Sequence, residues 1–157
     1  MPGTPPPDQC RILREANFRW EGIEQEAYKA EGTHFSGARR QTLVGQPAGQ
    51  QAPAFETRSF EVEPGGYTTL ERHEHTHVVI VLRGEAEVVL DQRVEAITPL
   101  DCAYIAPWAW HQIHAVGTET LGFLCIVDRD RDRPQRPDPQ HLDELRRTPA
   151  VARRIRT

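Results

Sequence analysis

The sequence predicts an all-β fold, an antiparallel sandwich or barrel that carries an N-terminal arm and a short helical tail. The first observation behind this is a series of short runs rich in β-branched and aromatic residues, at 55–63, 67–73, 77–82, 85–90, 93–97, 102–106, 111–116 and 120–127. The second is the punctuation between them: Pro64-Gly65-Gly66, Arg83-Gly84, Asp91-Gln92, Thr98-Pro99-Leu100-Asp101, Pro107 and Gly117. No stretch of helical periodicity intervenes, so the strands pair antiparallel and close on themselves. The third is Val78–Leu82, which is apolar at odd and even positions alike. Such a strand is buried on both faces. One face looks into the barrel; the other needs the arm or a second subunit as cover, so a homodimer is expected.

Taken in order, residues 1–9 are proline-rich and extended, and 10–16 suit a helical turn. Phe18, Trp20, Ile23, Tyr28 and Phe35 are scattered through a polar segment, roughly 17–46. They read as an arm that packs on something else, with plain surface padding as the alternative. Gln46 to Pro53 is a linker. The domain division is therefore arm and linker over 1–54, barrel over 55–127, and a charged connector with a short helix over 128–157. In the last part, Asp128 to Pro137 alternates in charge and reads as a solvated connector. Asp138-Pro139 then supplies an N-cap with proline at the first helical position, and His141, Leu142 and Leu145 form one helix face.

The chain of 157 residues is long enough for one domain with a real core. A net charge of -4 gives no reason to expect a nucleic-acid partner. Three cysteines, Cys10, Cys102 and Cys125, share no CxxC spacing and fit no disulfide framework. Cys102 and Cys125 lie in strand-like runs and read as reduced core residues. The start, Met1-Pro2-Gly3-Thr4, has no apolar leader, and no run approaches membrane-spanning length. A cytoplasmic protein with a small-molecule partner and no membrane partner is expected.

The chemistry concentrates in Glu71-Arg72-His73-Glu74-His75-Thr76-His77. In an extended strand every second side chain shares a face, so Glu71, His73, His75 and His77 project together. Imidazole with carboxylate suits a divalent transition metal ion: Fe, Mn, Ni, Cu or Zn. The competing reading is the wet face of a surface strand. A rigid site needs ligands from more than one strand. His111 follows the turn Pro107-Trp108-Ala109-Trp110 and supplies the remaining ligand, although alone it would read as a satisfied core histidine.

These stretches resemble the cupin superfamily. Its first motif runs glycine, five residues, His-x-His, three or four residues, Glu, six residues, glycine. Here Gly65, Glu71-x-His73, His77 and Gly84 keep that spacing. The second motif resembles Leu100-Asp101 through Pro107 and His111. The resemblance covers about 55–127 and implies a double-stranded β-helix, the jelly-roll barrel. It also implies a ligand set of Glu71, His73, His77 and His111, with carboxylate and imidazole exchanged between two places. His75 is a further candidate ligand should Glu71 bond elsewhere. Leu100 and Trp108 stand where the second motif has glycines.

Tyr67, Tyr104, Trp108 and Trp110 are candidates for the pocket wall, with Tyr104 a candidate proton donor. The function expected is that of a metal-dependent enzyme on a small organic molecule. Dioxygenase-like oxidation comes first; the resemblance also implies isomerases and decarboxylases. The alternative is a non-catalytic cupin that binds a small ligand or metal in a sensing role.

Overall fold

Alternate burial along the strands sets the architecture. The computed structural model describes residues 10–29, 32–45 and 53–157. The proline-rich stretch 1–9 and most of the linker read at 46–53 lie outside them. The strands are β1 (Glu15–Ala16), β2 (Arg19–Trp20), β3 (Glu26–Ala27), β4 (Ser36–Val44), β5 (Phe55–Tyr67), β6 (His77–Arg83), β7 (Glu85–Leu90), β8 (Arg93–Ile97), β9 (Cys102–Ile105), β10 (His111–Val116) and β11 (Leu121–Asp128). Two helices follow, α1 (Pro139–Leu145) and α2 (Pro149–Arg154). β5 to β11 form a curled antiparallel sheet in the order β8-β7-β10-β5-β11-β6-β9, with β4 added alongside β5.

Inward residues of facing strands make the barrel core: Phe60 and Val62 of β5, Val79 and Val81 of β6, Ile113 of β10, and Leu121 and Phe123 of β11. Phe60 and Phe123 stack with centroids 5.2 Å apart. Nearer the barrel mouth the same alternation turns Arg58 and Cys125 inward, level with Val79. The opposite face of β6 carries Val78, Ile80 and Leu82, all half-buried, and Tyr104 on β9 faces Val78 with 63% of its surface exposed.

The tail covers a second apolar cluster. Asp138 caps α1 by accepting the His141 backbone N–H at 2.9 Å, with Pro139 in the first turn. Leu145, Val151 and Ile155 then bury against Leu70, Val89 and Trp110.

Four local readings differ from the sequence expectation. Residues 10–16 form no helical turn: Glu15–Ala16 pairs with Arg19–Trp20 around Asn17 and Phe18, at φ 53° and 62°. Two successive left-handed residues are the geometry of a tight hairpin, which overrides local helix preference. The arm packs on the barrel as read, with Tyr28 against Phe60, but it does so through a strand the sequence did not single out: β4 pairs with β5 from Ser36↔Tyr67 to Val44↔Thr57. The strand expected at 67–73 ends with β5 at Tyr67; beyond it only the isolated bridges Glu71↔His111 and Arg72↔Gln135 form. Cys102 is exposed on β9, whereas Cys125 is buried. Among the described residues no helix is long and apolar enough to cross a membrane.

Leu100 and Trp108, which replace the motif glycines, keep left-handed backbones at φ 72° and 63°. The turns thus retain a conformation that glycine adopts without strain and a leucine does not. Leu100 is 83% exposed, so its side chain contributes little packing. Leu100→Gly should therefore raise the urea unfolding free energy by about 0.5–1 kcal/mol.

His114 is buried, and its Nε2 bonds the Gln112 side-chain oxygen at 2.9 Å. The Gln112 amide nitrogen already donates to Thr68 O and Arg156 O, so the imidazole is the donor. Burial, with the Arg156 charge, lowers its pKa from 6.5 to about 4. Between those values the unfolded chain binds the proton and the folded chain does not, so stability falls as pH drops below about 6.5. His114→Asn should remove about 2 kcal/mol of the loss between pH 7 and pH 5, read from urea midpoints of the metal-free protein.

Candidate metal centre and its pocket

The segment 68–76 is irregular, yet it is fixed along its length. The Thr68 N–H donates to Ile113 O at 2.9 Å, and the Ile113 N–H donates to Thr68 Oγ1 at 2.9 Å. Glu71 and His111 exchange two backbone hydrogen bonds, of 3.1 and 3.0 Å. The Trp108 N–H donates to His73 O at 2.7 Å. His77 opens β6, the strand that β11 and β9 flank. These bonds bring one ligand nitrogen each from His73, His77 and His111 to within 4.8 Å of one another.

The imidazoles are prepared for a cation. His73 Nδ1 bonds His75 O at 2.7 Å, and His111 Nδ1 bonds Ala109 O at 3.0 Å. A carbonyl only accepts, so both Nδ1 atoms carry hydrogen and both Nε2 atoms keep a lone pair. His73 Nε2 is buried without a hydrogen-bond partner, an orphan that a metal would satisfy. Burial and the neighbouring imidazoles lower the His73 pKa to about 4. Burial likewise lowers His77 and His111. All three are thus neutral at pH 7, the form that binds a metal.

The other two residues of the sequence-derived set stand differently. Glu71 Oε2 accepts a hydrogen bond from Lys29 Nζ at 2.5 Å, and Glu71 lines the cavity beside the histidines without joining their cluster. His75 stacks on His73, centroids 3.7 Å apart, while its Nδ1 bonds Asp132 Oδ1 at 2.6 Å. Asp132 also accepts the backbone N–H groups of Glu74 and His75 at 2.8 and 3.1 Å. Burial works to raise the Asp132 pKa, but these donors outweigh it and hold the carboxyl below the usual carboxylate range. The connector read as solvated is therefore a clasp on the histidine loop.

The cluster opens on a cavity of about 190 Å³. Its walls include Tyr28, Lys29, Arg58, Phe60, Cys125 and Arg131, none of which the sequence reading assigned to a pocket. Tyr67, Tyr104, Trp108 and Trp110, expected there, do not line it. Tyr67 packs on His114, Tyr104 and Trp108 are on the outer surface, and Trp110 lies in the second apolar cluster under the Arg72 guanidinium. Strand parity is the signal that could have found two of the missed residues. Arg58 shares a face with Phe60, and Cys125 shares one with Phe123. Burial raises the Cys125 thiol above its ordinary range, against the lowering pull of Arg58. Burial, with the Glu71 charge, also pushes the Tyr28 phenol up, so it stays protonated.

Replacing His73 or His111 by alanine should remove nearly all bound metal, measured by elemental analysis of protein made without a histidine tag. Asp132→Ala, which only frees His75 and its loop, should weaken metal affinity about 10–100-fold.

The Cupin domain family matches residues 58–127. A curated relative, 1-methylthio-D-xylulose 5-phosphate methylsulfurylase of Rhodospirillum rubrum, is 42% identical over 88% of this chain and 86% of its own length. A crystal structure of a cupin 2 domain-containing protein from Halorhodospira halophila is 73% identical, with a TM-score of 0.76 over 94% of this chain and 96% of that one. A cupin 2 conserved barrel domain protein from Rhodopseudomonas palustris is 38% identical, with a TM-score of 0.85 over 94% of this chain and 100% of that one. With the jelly-roll sheet, the histidine cluster at its mouth and these relatives, the chain belongs to the cupin superfamily.

Proposed function

We propose that this protein is a metal-dependent enzyme acting on 1-methylthio-D-xylulose 5-phosphate, the compound in the name of the Rhodospirillum rubrum relative. The observation that carries the reading is the lining of the cavity. Beside His77 and His111 it places the cations Lys29, Arg58 and Arg131 and the thiol of Cys125. An anionic substrate fits the cations. A substrate carrying a methylthio group fits a pocket that holds a thiol.

A divalent ion held by His73, His77 and His111 would supply Lewis-acid polarisation of a sugar oxygen. Lys29 and Glu71, 2.5 Å apart at the pocket wall, form a pair that can hold or release a proton next to that oxygen. Lys29 is the single lysine in a chain with eighteen arginines, so an amine stands where this sequence otherwise uses guanidinium. The Tyr28 phenol keeps its hydrogen and anchors this corner by accepting the Thr69 N–H at 3.3 Å. Cys125 is the chain's own partner for the substrate sulfur.

The dioxygenase-like oxidation favoured by the sequence would use the same imidazoles, and oxygen uptake separates it from sulfur chemistry. The reading also takes the protein as a homodimer that pairs through the half-buried outer face of β6, with Val78, Ile80 and Leu82.

The test is incubation of the metal-loaded protein with 1-methylthio-D-xylulose 5-phosphate and dithiothreitol, followed by proton NMR of the S-methyl group and by an oxygen electrode. The expected result is loss of the substrate S-methyl signal without oxygen consumption, and at least a 100-fold slower reaction in Cys125→Ser. Oxygen uptake with the S-methyl signal intact would favour the oxidation instead. Binding without turnover would favour the non-catalytic alternative.

A further inference from the structure

Four cationic side chains line the cavity, and three of them are spoken for. Lys29 pairs with Glu71, Arg40 with Glu26, and Arg131 with Glu56. Arg58 differs. It is 9% exposed, and among the described residues it makes no salt bridge. Its Nε is buried without a hydrogen-bond partner, and one terminal nitrogen reaches only the Cys125 sulfur, at 3.5 Å. The guanidinium lies over the Phe60 ring, 5.2 Å from its centroid. The Cys125 thiol keeps its proton, so it does not neutralise the charge.

A guanidinium is charged at every accessible pH, and burying one without an anion costs several kcal/mol. The fold accepts that cost at a position facing the cavity. The natural counterpart is an anion that arrives with the substrate. Register places it: Arg58 faces Cys125, and Cys125 faces Val79, two residues along the same strand face from His77. That is one step of the ladder, about 7 Å, deeper than the metal-binding histidine.

We propose that Arg58 is the seat of the substrate's phosphate group, gripping it through the planar guanidinium fork while the histidine end of the cavity takes the sugar oxygens. The inference rests on the phosphorylated-sugar reading above and names the residue that selects for the phosphate. A phosphate suits the position because its oxygens match the guanidinium fork in bidentate geometry. The substrate chain then bends at its sugar oxygens, because Cys125, the partner of its thioether sulfur, lies 3.5 Å from the same guanidinium.

The experiment measures binding, so it does not depend on turnover. The metal-loaded protein is titrated calorimetrically with a pentulose 5-phosphate, the unphosphorylated pentulose and inorganic phosphate. The wild type should prefer the phosphorylated sugar by about 10–100-fold. In Arg58→Met this preference should collapse to within about twofold, and inorganic phosphate should no longer compete. Arg58→Lys, which keeps the charge but loses the fork, should fall between the two. Arg131→Met should keep most of the preference. Without ligand, Arg58→Met should melt at least about 2 °C higher than the wild type, because an unpaired buried charge is gone.

An unchanged preference in Arg58→Met would overturn the proposal. So would a lower melting temperature in that variant, which would make Arg58 a structural residue. An Arg58-dependent preference in a protein that leaves 1-methylthio-D-xylulose 5-phosphate intact would retain the phosphate seat and discard the proposed reaction.

Discussion

Two backbone hydrogen bonds between Glu71 and His111 hold the site together. They join an irregular loop to the first residue of β10, and through it the histidine-rich segment to the barrel. A regular strand at 67–73 would have carried its side chains past the barrel mouth at fixed pitch. The isolated bridge instead pins one point and lets His73 turn toward His77 and His111. The Trp108 N–H to His73 O bond fixes the same loop from the second motif. Three imidazoles then converge, His77 and His111 from the first residues of β6 and β10 and His73 from the irregular loop between β5 and β6.

Electrostatics divide the cavity. At its mouth, burial keeps the three imidazoles neutral, which suits a cation. One ladder step below, Arg58 carries a charge that, among the described residues, pairs with no carboxylate, which suits an anion. A divalent ion at the mouth and the guanidinium below it would both attract an anionic substrate that spans them. Glu71 takes part in both halves: its carboxylate lies by the histidines, while Lys29 occupies its oxygen.

Much of this was legible in the sequence, for a local reason. The seven barrel strands and their turns follow from alternation and from Gly and Pro, which act within a few residues. β7 and β8 were read at their observed bounds. The spacing of His73, His77 and His111 was equally plain, because a dense set of donors is visible without knowing what it faces. What escaped is what depends on contacts distant in sequence. Lys29 meets Glu71 across 42 positions, and Asp132 meets His75 across 57. Asp132 stands in a run of alternating charge where no local pattern marks one residue above its neighbours. The aromatic residues Tyr104, Trp108 and Trp110 misled because their nearness in sequence to His111 is not nearness to the cavity. The pleat sends Tyr104 outward, and Trp110 turns under the helical tail.

The clasp by Asp132 and the wall residues Tyr28 and Lys29 have a bearing on modularity. The stretch matched to the family, 58–127, contains the converging histidines and Arg58. Asp132 lies after it, and Lys29 lies before it on a segment whose strand β4 runs along β5. The barrel is therefore a scaffold finished by two straps, one from each end of the chain. A graft of the barrel alone into another protein would carry the ligands but leave the loop unclasped and Glu71 without its lysine. Divergence among such proteins can then proceed in the straps, changing what the pocket accepts while the barrel sequence stays recognisable.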